Sequence, residues 1–175
     1  MALIFGIKDT FAIEVGDIAD VPTEYGIFIQ FRFWIGGIPI GDWDDIIPID
    51  PSIQYAEELC TTEVYRRERL FHAASAANVF NKVYYGYFKY DYTINPIIVP
   101  DLKDRFHLDD IGLVSIYDKY GIVLVGCTNE TERIIVKDLR SDIFLVDIQL
   151  PFGFVESALK DYVAWGRSLE RPKST

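Results

Sequence analysis

Cysteine and histidine are scarce in this chain, with two of each in 175 residues, and methionine occurs once. Cys60 and Cys127 are far apart and form no C-x-x-C pair, which argues against a zinc ribbon or a disulfide framework and for two small buried hydrophobes in a reducing compartment. No apolar run approaches the ~20 residues that a bilayer span requires, so no transmembrane helix and no membrane partner are expected. The apolar opening Met1 to Gly6 has no basic residue before Lys8 and meets Asp9 at once, unlike a secretory signal, and a cytoplasmic location is expected. The sequence also lacks G-x-x-x-x-G-K-[ST], G-x-G-x-x-G, G-x-S-x-G and H-E-x-x-H, leaving phosphate cradles, nucleophile elbows and zincin sites without support. No cofactor or metal is expected.

Basic residues are missing from one region in particular. Between Asp9 and Glu63 twelve acids face the single base Arg32, whereas the rest of the chain is nearly balanced, so this third holds the whole excess behind a net charge of -10. Such a field disfavours nucleic acid as a partner and favours a basic protein surface. Acids also keep proteins soluble, and for any one of these residues that plainer role stands beside the functional one.

Against these absences, half of the residues are hydrophobic and 15% are aromatic, enough for one domain over residues 1–175 with a substantial core. Ile27, Ile29, Phe31, Phe33 and Ile35 alternate with Phe28, Gln30, Arg32 and Trp34, the period of a half-buried strand. Phe11, Ile13 and Val15 repeat the pattern, and Gly36-Gly37 supplies a tight turn into a strand near Ile38 to Ile40. Asp50 before Pro51 reads as a helix N-cap, followed by Ile53, Ala56 and Cys60 at helical spacing. Leu70, Ala74, Ala77, Phe80, Tyr84 and Tyr87 predict a second, longer helix over about 63–85, and 92–104 reads as a connection. Leu113 to Tyr117 and Ile122 to Val125 read as a hairpin whose second strand is central in the sheet. Strands near Arg133 to Lys137 and Ile143 to Gln149 follow. A last helix is expected from Pro151, with Phe152, Val155, Leu159 and Tyr162 inward, Glu156 and Lys160 paired outside, and residues 167–175 frayed. The fold class is therefore α+β: a mainly antiparallel sheet, two central helices and a C-terminal amphipathic helix.

Candidate chemistry is sparse. His72 reads as a packing or surface residue, and no catalytic residue is expected. His107 with Asp109 and Asp110 could start a metal or hydrolytic site, but no further His or Cys converges on them, and a solvated loop is the simpler reading. The acids Asp42, Asp44, Asp45, Asp50, Glu57 and Glu58 cluster around a strand-to-helix transition with Trp43 among them, an arrangement suited to holding a basic partner. The competing reading makes Trp43 core and the acids solvent-facing decoration. Six aromatics fall within nine residues from Tyr84 to Tyr92; packing consumes some, leaving Tyr85, Tyr90 and Tyr92 as a second set of interface candidates.

Leu3-Ile4-Phe5-Gly6, Phe11-Ala12-Ile13-Glu14, Phe33-Trp34-Ile35-Gly36-Gly37 and Ile40-Gly41-Asp42 together resemble the opening of immunity protein family forty-two, whose members are encoded beside bacterial polymorphic toxins. The resemblance implies a cytoplasmic protein, without catalytic residues, that binds and neutralises one cognate toxin domain. That toxin would be a basic nuclease of a contact-dependent growth inhibition or related secretion system. Two other classes stay open: a small hydrolase or ligand-binding enzyme using His107 with nearby carboxylates, and a module that oligomerises through exposed apolar strands.

Overall fold

The computed structural model describes residues 2–21, 26–85 and 105–170. A first sheet is built from β1 (Leu3–Ile7), β2 (Phe11–Ile18), β3 (Phe28–Ile35), β4 (Ile38–Ile40) and β5 (Ile46–Pro48). β1, β2 and β3 lie side by side, and β4 and β5 pair with successive stretches of the far edge of β3. A second sheet has the order β6 (Tyr120–Gly126), β7 (Thr131–Asp138) and β8 (Ile143–Pro151). Among the described residues, these eight strands pair antiparallel throughout. Together with the four α-helices among the described residues, including one at the C-terminal end, these sheets make the α+β class that the alternating and helical spacings predict.

Period-two patterning decides the first sheet. Ile29, Phe31, Phe33 and Ile35 are fully buried while Phe28, Gln30, Arg32 and Trp34 remain half-exposed, as expected. Gly36 and Gly37 both take positive φ, which the tight turn between β3 and β4 requires. The inner face packs on α1 (Ile49–Thr61) and α4 (Phe154–Ser168), with Tyr162 of α4 edge-on to Phe5 and Phe31 at centroid distances of 5.9 and 5.8 Å. One face of the second sheet, through Ile122, Leu124, Ile134 and Val136, joins the same cluster. Its other face, through Val123, Val125 and Ile135, meets a smaller cluster containing Phe71, Phe80 and Tyr84.

Five local expectations are corrected. β6 is all-apolar because both its faces are covered, not because it is central. β7 holds the central place, and the other edge of β6 carries isolated bridges from Arg67 to Gly126 and from His107 to Val123. The long helix over 63–85 is broken into 3₁₀ turns at Glu63–Arg66 and Arg69–Phe71, then α2 (Ala76–Phe80), which continues as a π-turn over Asn81–Tyr85. Glu68 donates its backbone N–H to Gly126 O at 2.7 Å, so pairing with the sheet edge outweighs helix propensity there, and Ser75 caps the restart by accepting from Asn78 N. Leu113–Tyr117 forms a short helix, α3, rather than a strand: Ser115 Oγ donates to Gly112 O and Ile116 is buried.

The last two corrections concern helix starts. α1 begins directly from β5, with Ile49 N bonded to Ile27 O, so Asp50 lies in the first turn and is not the cap. It still suits the positive end of the helix dipole, and Pro51 falls where a missing N–H is harmless. Pro151 ends β8, and α4 starts at Phe154 with Glu156 buried rather than outside. Arg167 and Ser168 belong to α4; residues 171–175 and the connection over 92–104 lie outside the described residues.

Candidate interaction surface

The turn between β4 and β5 displays the first group of candidate acids. Asp42 organises it, its carboxylate accepting from Asp44 N and its carbonyl from Asp45 N, both at 3.2 Å. Asp42 and Asp44 are exposed. Asp45 instead bonds Lys119 Nζ at 2.7 Å, so its charge is locally offset. Trp43 is half-buried, its ring 4.5 Å beneath the Arg32 guanidinium; a Cβ on Gly16 would come within 2.9 Å of the indole, so the glycine makes room for it.

The second group lies on α1. Asp50 is exposed in the first turn, Glu58 is exposed near the end, and Glu57 takes a two-point ion pair from Arg167 that holds its carboxyl below the usual range. At 1.5 Å per residue Asp50 and Glu58 are about 12 Å apart along the axis. The six acids therefore fall in two groups, one on the turn and one on α1, and four of them, Asp42, Asp44, Asp50 and Glu58, are exposed.

Of the aromatic candidates, Tyr85 is half-buried against Phe80 at 5.4 Å and Tyr84 at 5.6 Å, and its hydroxyl accepts from Lys137 at 3.4 Å. Tyr90 and Tyr92 lie outside the described residues.

One arrangement escaped the sequence reading. Glu14, 5% exposed on the outer face of the first sheet, accepts from Lys8 at 2.9 Å, Arg32 at 2.6 Å and Trp34 Nε1 at 2.7 Å. Burial pushes its carboxyl up, but the three donors outweigh that and hold it below the usual range. Lys8 and Arg32 also lie over the Trp34 ring at 4.3 and 5.0 Å, so Lys8, Trp34, Arg32 and Trp43 form a fixed ladder beside Asp42. Its sequence signal was Arg32, the one base of the acidic third, standing opposite Glu14 in the register.

His107 and Asp109 are buried, which corrects the solvated reading. The imidazole Nδ1 is 3.7 Å from Asp109 Oδ1, and that oxygen accepts the backbone N–H of Ile122 at 3.2 Å, fastening the 109–112 turn to β6. His72 is exposed on a cavity of about 460 Å³ shared with Arg69, Cys127 and Asn129, where burial raises the Cys127 thiol above its ordinary pKa and keeps it protonated. Among the described residues no three His, Cys, Asp or Glu side chains converge as a metal site, and no helix is long and apolar enough to cross a membrane.

The crystal structure of CdiI from Burkholderia dolosa AUO158 matches with a TM-score of 0.64, covering 93% of this chain and 99% of that one at 19% identity, a likeness of fold. No curated protein sequence matches the chain. The model of the family described as Immunity protein 42 matches residues 3–165, a span that takes in both sheets and nearly all of α4, and the chain belongs to that family.

Proposed function

We propose that this protein binds one cognate toxin domain, a basic nuclease delivered by a contact-dependent growth inhibition or related secretion system, and neutralises it in the cytoplasm of a bacterium. The observation that carries the reading is the solvent-facing set Asp42, Asp44, Asp50 and Glu58 in a chain of net charge -10, with Trp43, stacked under Arg32, next to Asp42 and Asp44 in the chain. A nuclease keeps a positive surface for its phosphate substrate, and an acidic inhibitor gains complementarity by opposing it. Asp45 and Glu57 contribute less to that field because Lys119 and Arg167 already answer them.

The test reverses Asp42, Asp44, Asp50 and Glu58 to lysine together, confirms folding by thermal melt, and measures affinity for the toxin domain encoded beside the gene across a salt series. The expected result is weaker binding with a flatter salt dependence, since screening acts on exposed charges. The purified toxin domain should degrade nucleic acid and lose that activity on stoichiometric addition of the protein. If affinity and salt slope both keep wild-type values, the acidic surface is not the contact, and the segment from Tyr85 to Tyr92 is next.

A further inference from the structure

Beside the β4–β5 turn lies a cavity of about 300 Å³ that neither the charge pattern nor the family accounts for. Its lining includes Asp45, Ile46, Val114, Asp118, Lys119 and Arg140. Its size falls at the low end of ligand-holding cavities, room for one long side chain. Two aliphatic residues stand at it with large exposure: Val114, 70% exposed on α3, and Ile46, 43% exposed on β5. Tyr117, on the same short helix as Val114, is 36% exposed. Exposed aliphatics grouped around a concavity mark contact surfaces rather than ordinary scatter. The backbone also holds this feature at a cost. Leu113, immediately before Val114, has φ +50° and ψ -150°, a conformation that residues with side chains rarely adopt.

The charge around the cavity decides what fits it. Asp42, Asp44, Asp45 and Asp118 stand against Lys119 and Arg140, and the Asp45–Lys119 pair at 2.7 Å offsets one of each, leaving three exposed acids, Asp42, Asp44 and Asp118, against the one base Arg140. A lysine or arginine carries both properties the surface asks for: an aliphatic stem for Ile46 and Val114 and a cationic head for the surrounding carboxylates.

We infer that this notch is the anchoring pocket for the toxin domain, receiving one basic side chain of that partner, with Val114 as the central contact. The inference rests on the immunity reading above and narrows it from a broad acidic face to one concavity. Once that side chain is seated, Ile46 and Val114 flank its stem and Asp118 answers its charged head.

The test compares Val114→Arg, Val114→Ala and Asp118→Lys with Ile143→Arg, an exposed site on β8 in the second sheet, using the purified toxin domain encoded beside the gene, with thermal melts to verify folding. Val114→Arg and Asp118→Lys should each weaken binding at least ~30-fold, the size of an interface hot spot, Val114→Ala less, and Ile143→Arg should bind as the wild type does. Amide exchange in Ile46 and residues 113–118 should slow when the toxin domain binds. Wild-type binding that Val114→Arg and Asp118→Lys leave unchanged overturns the pocket alone. A toxin domain that the wild-type protein does not bind overturns the immunity reading and the pocket with it.

Discussion

Two buried carboxylates show how residue identity and residue environment part company in this chain. Glu156 sits four residues before Lys160, a spacing that reads as an exposed helical ion pair, yet its partner is Arg66, ninety positions away and 2% exposed. Arg66 also donates to Leu59 O at the end of α1, so one guanidinium ties two helices together, and burial pushes its pKa down to about 10 despite the Glu132 charge nearby. No local pattern can announce a pair separated by that much chain. Because removing one partner strands the other charge in the interior, Glu156→Ala should cost ~3–5 kcal/mol in urea unfolding, while Arg66→Met with Glu156→Leu should recover most of it. Glu14 gives a pH-dependent counterpart. Its carboxyl is held below the unfolded value of 4.5, so its contribution to stability is complete above that pH and drains away as pH falls through the folded pKa. Glu14→Gln should therefore be less stable than wild type at pH 7, and the gap should close in acid, read from melts across pH 7 to 3.

At the scale of elements, legibility followed how local the deciding interactions are. β3 was readable residue by residue because a half-buried strand writes its environment into a two-residue period. The 63–85 region was not, because the competitor to its helical spacing is an edge of β6 some sixty residues later, reached by Arg67 and Glu68. Leu113–Tyr117 failed for a different reason: a single helical turn is too short for either period to show. Helix packing hides a polar hinge of the same kind. Ser52 of α1 donates to Ile111 O at 2.7 Å, which leaves the Tyr162 hydroxyl of α4 to donate to Ser52 Oγ at 2.8 Å, and burial keeps that tyrosine protonated. Ser52→Ala orphans a buried carbonyl and a buried hydroxyl together. It should cost ~1–3 kcal/mol by thermal or chemical melt, with Ser52→Thr the milder change.

For the molecule as a whole, the acidic imbalance was legible from counting, and the candidate acids do surround the passage from β4 through β5 into α1. Their pairing was invisible, since Lys119 and Arg167 come from distant parts of the chain to answer Asp45 and Glu57. The cavity beside Val114 was equally hidden, as it exists only where a turn of the first sheet meets a helix that precedes the second.

The place of α4 in this arrangement sets the order in which the protein can be made. Its Val155, Leu159 and Tyr162 cover the inner face of β1 and β2, yet α4 follows every described strand in the chain. A ribosome therefore releases Phe11, Ile13, Phe31 and Phe33 some 120 residues or more before their cover arrives, at synthesis rates of ~5–20 residues per second. For those several seconds the nascent first sheet carries an apolar face that α4 has yet to cover, a natural substrate for chaperones. A chain stopped at Phe152 should stay in that condition: it should bind a hydrophobic dye and pellet on expression, and α4 supplied as a separate peptide should reduce both effects. An immunity function depends on standing stock, so speed of completion at the C-terminal end, rather than final stability, would govern how soon a newly made molecule offers protection.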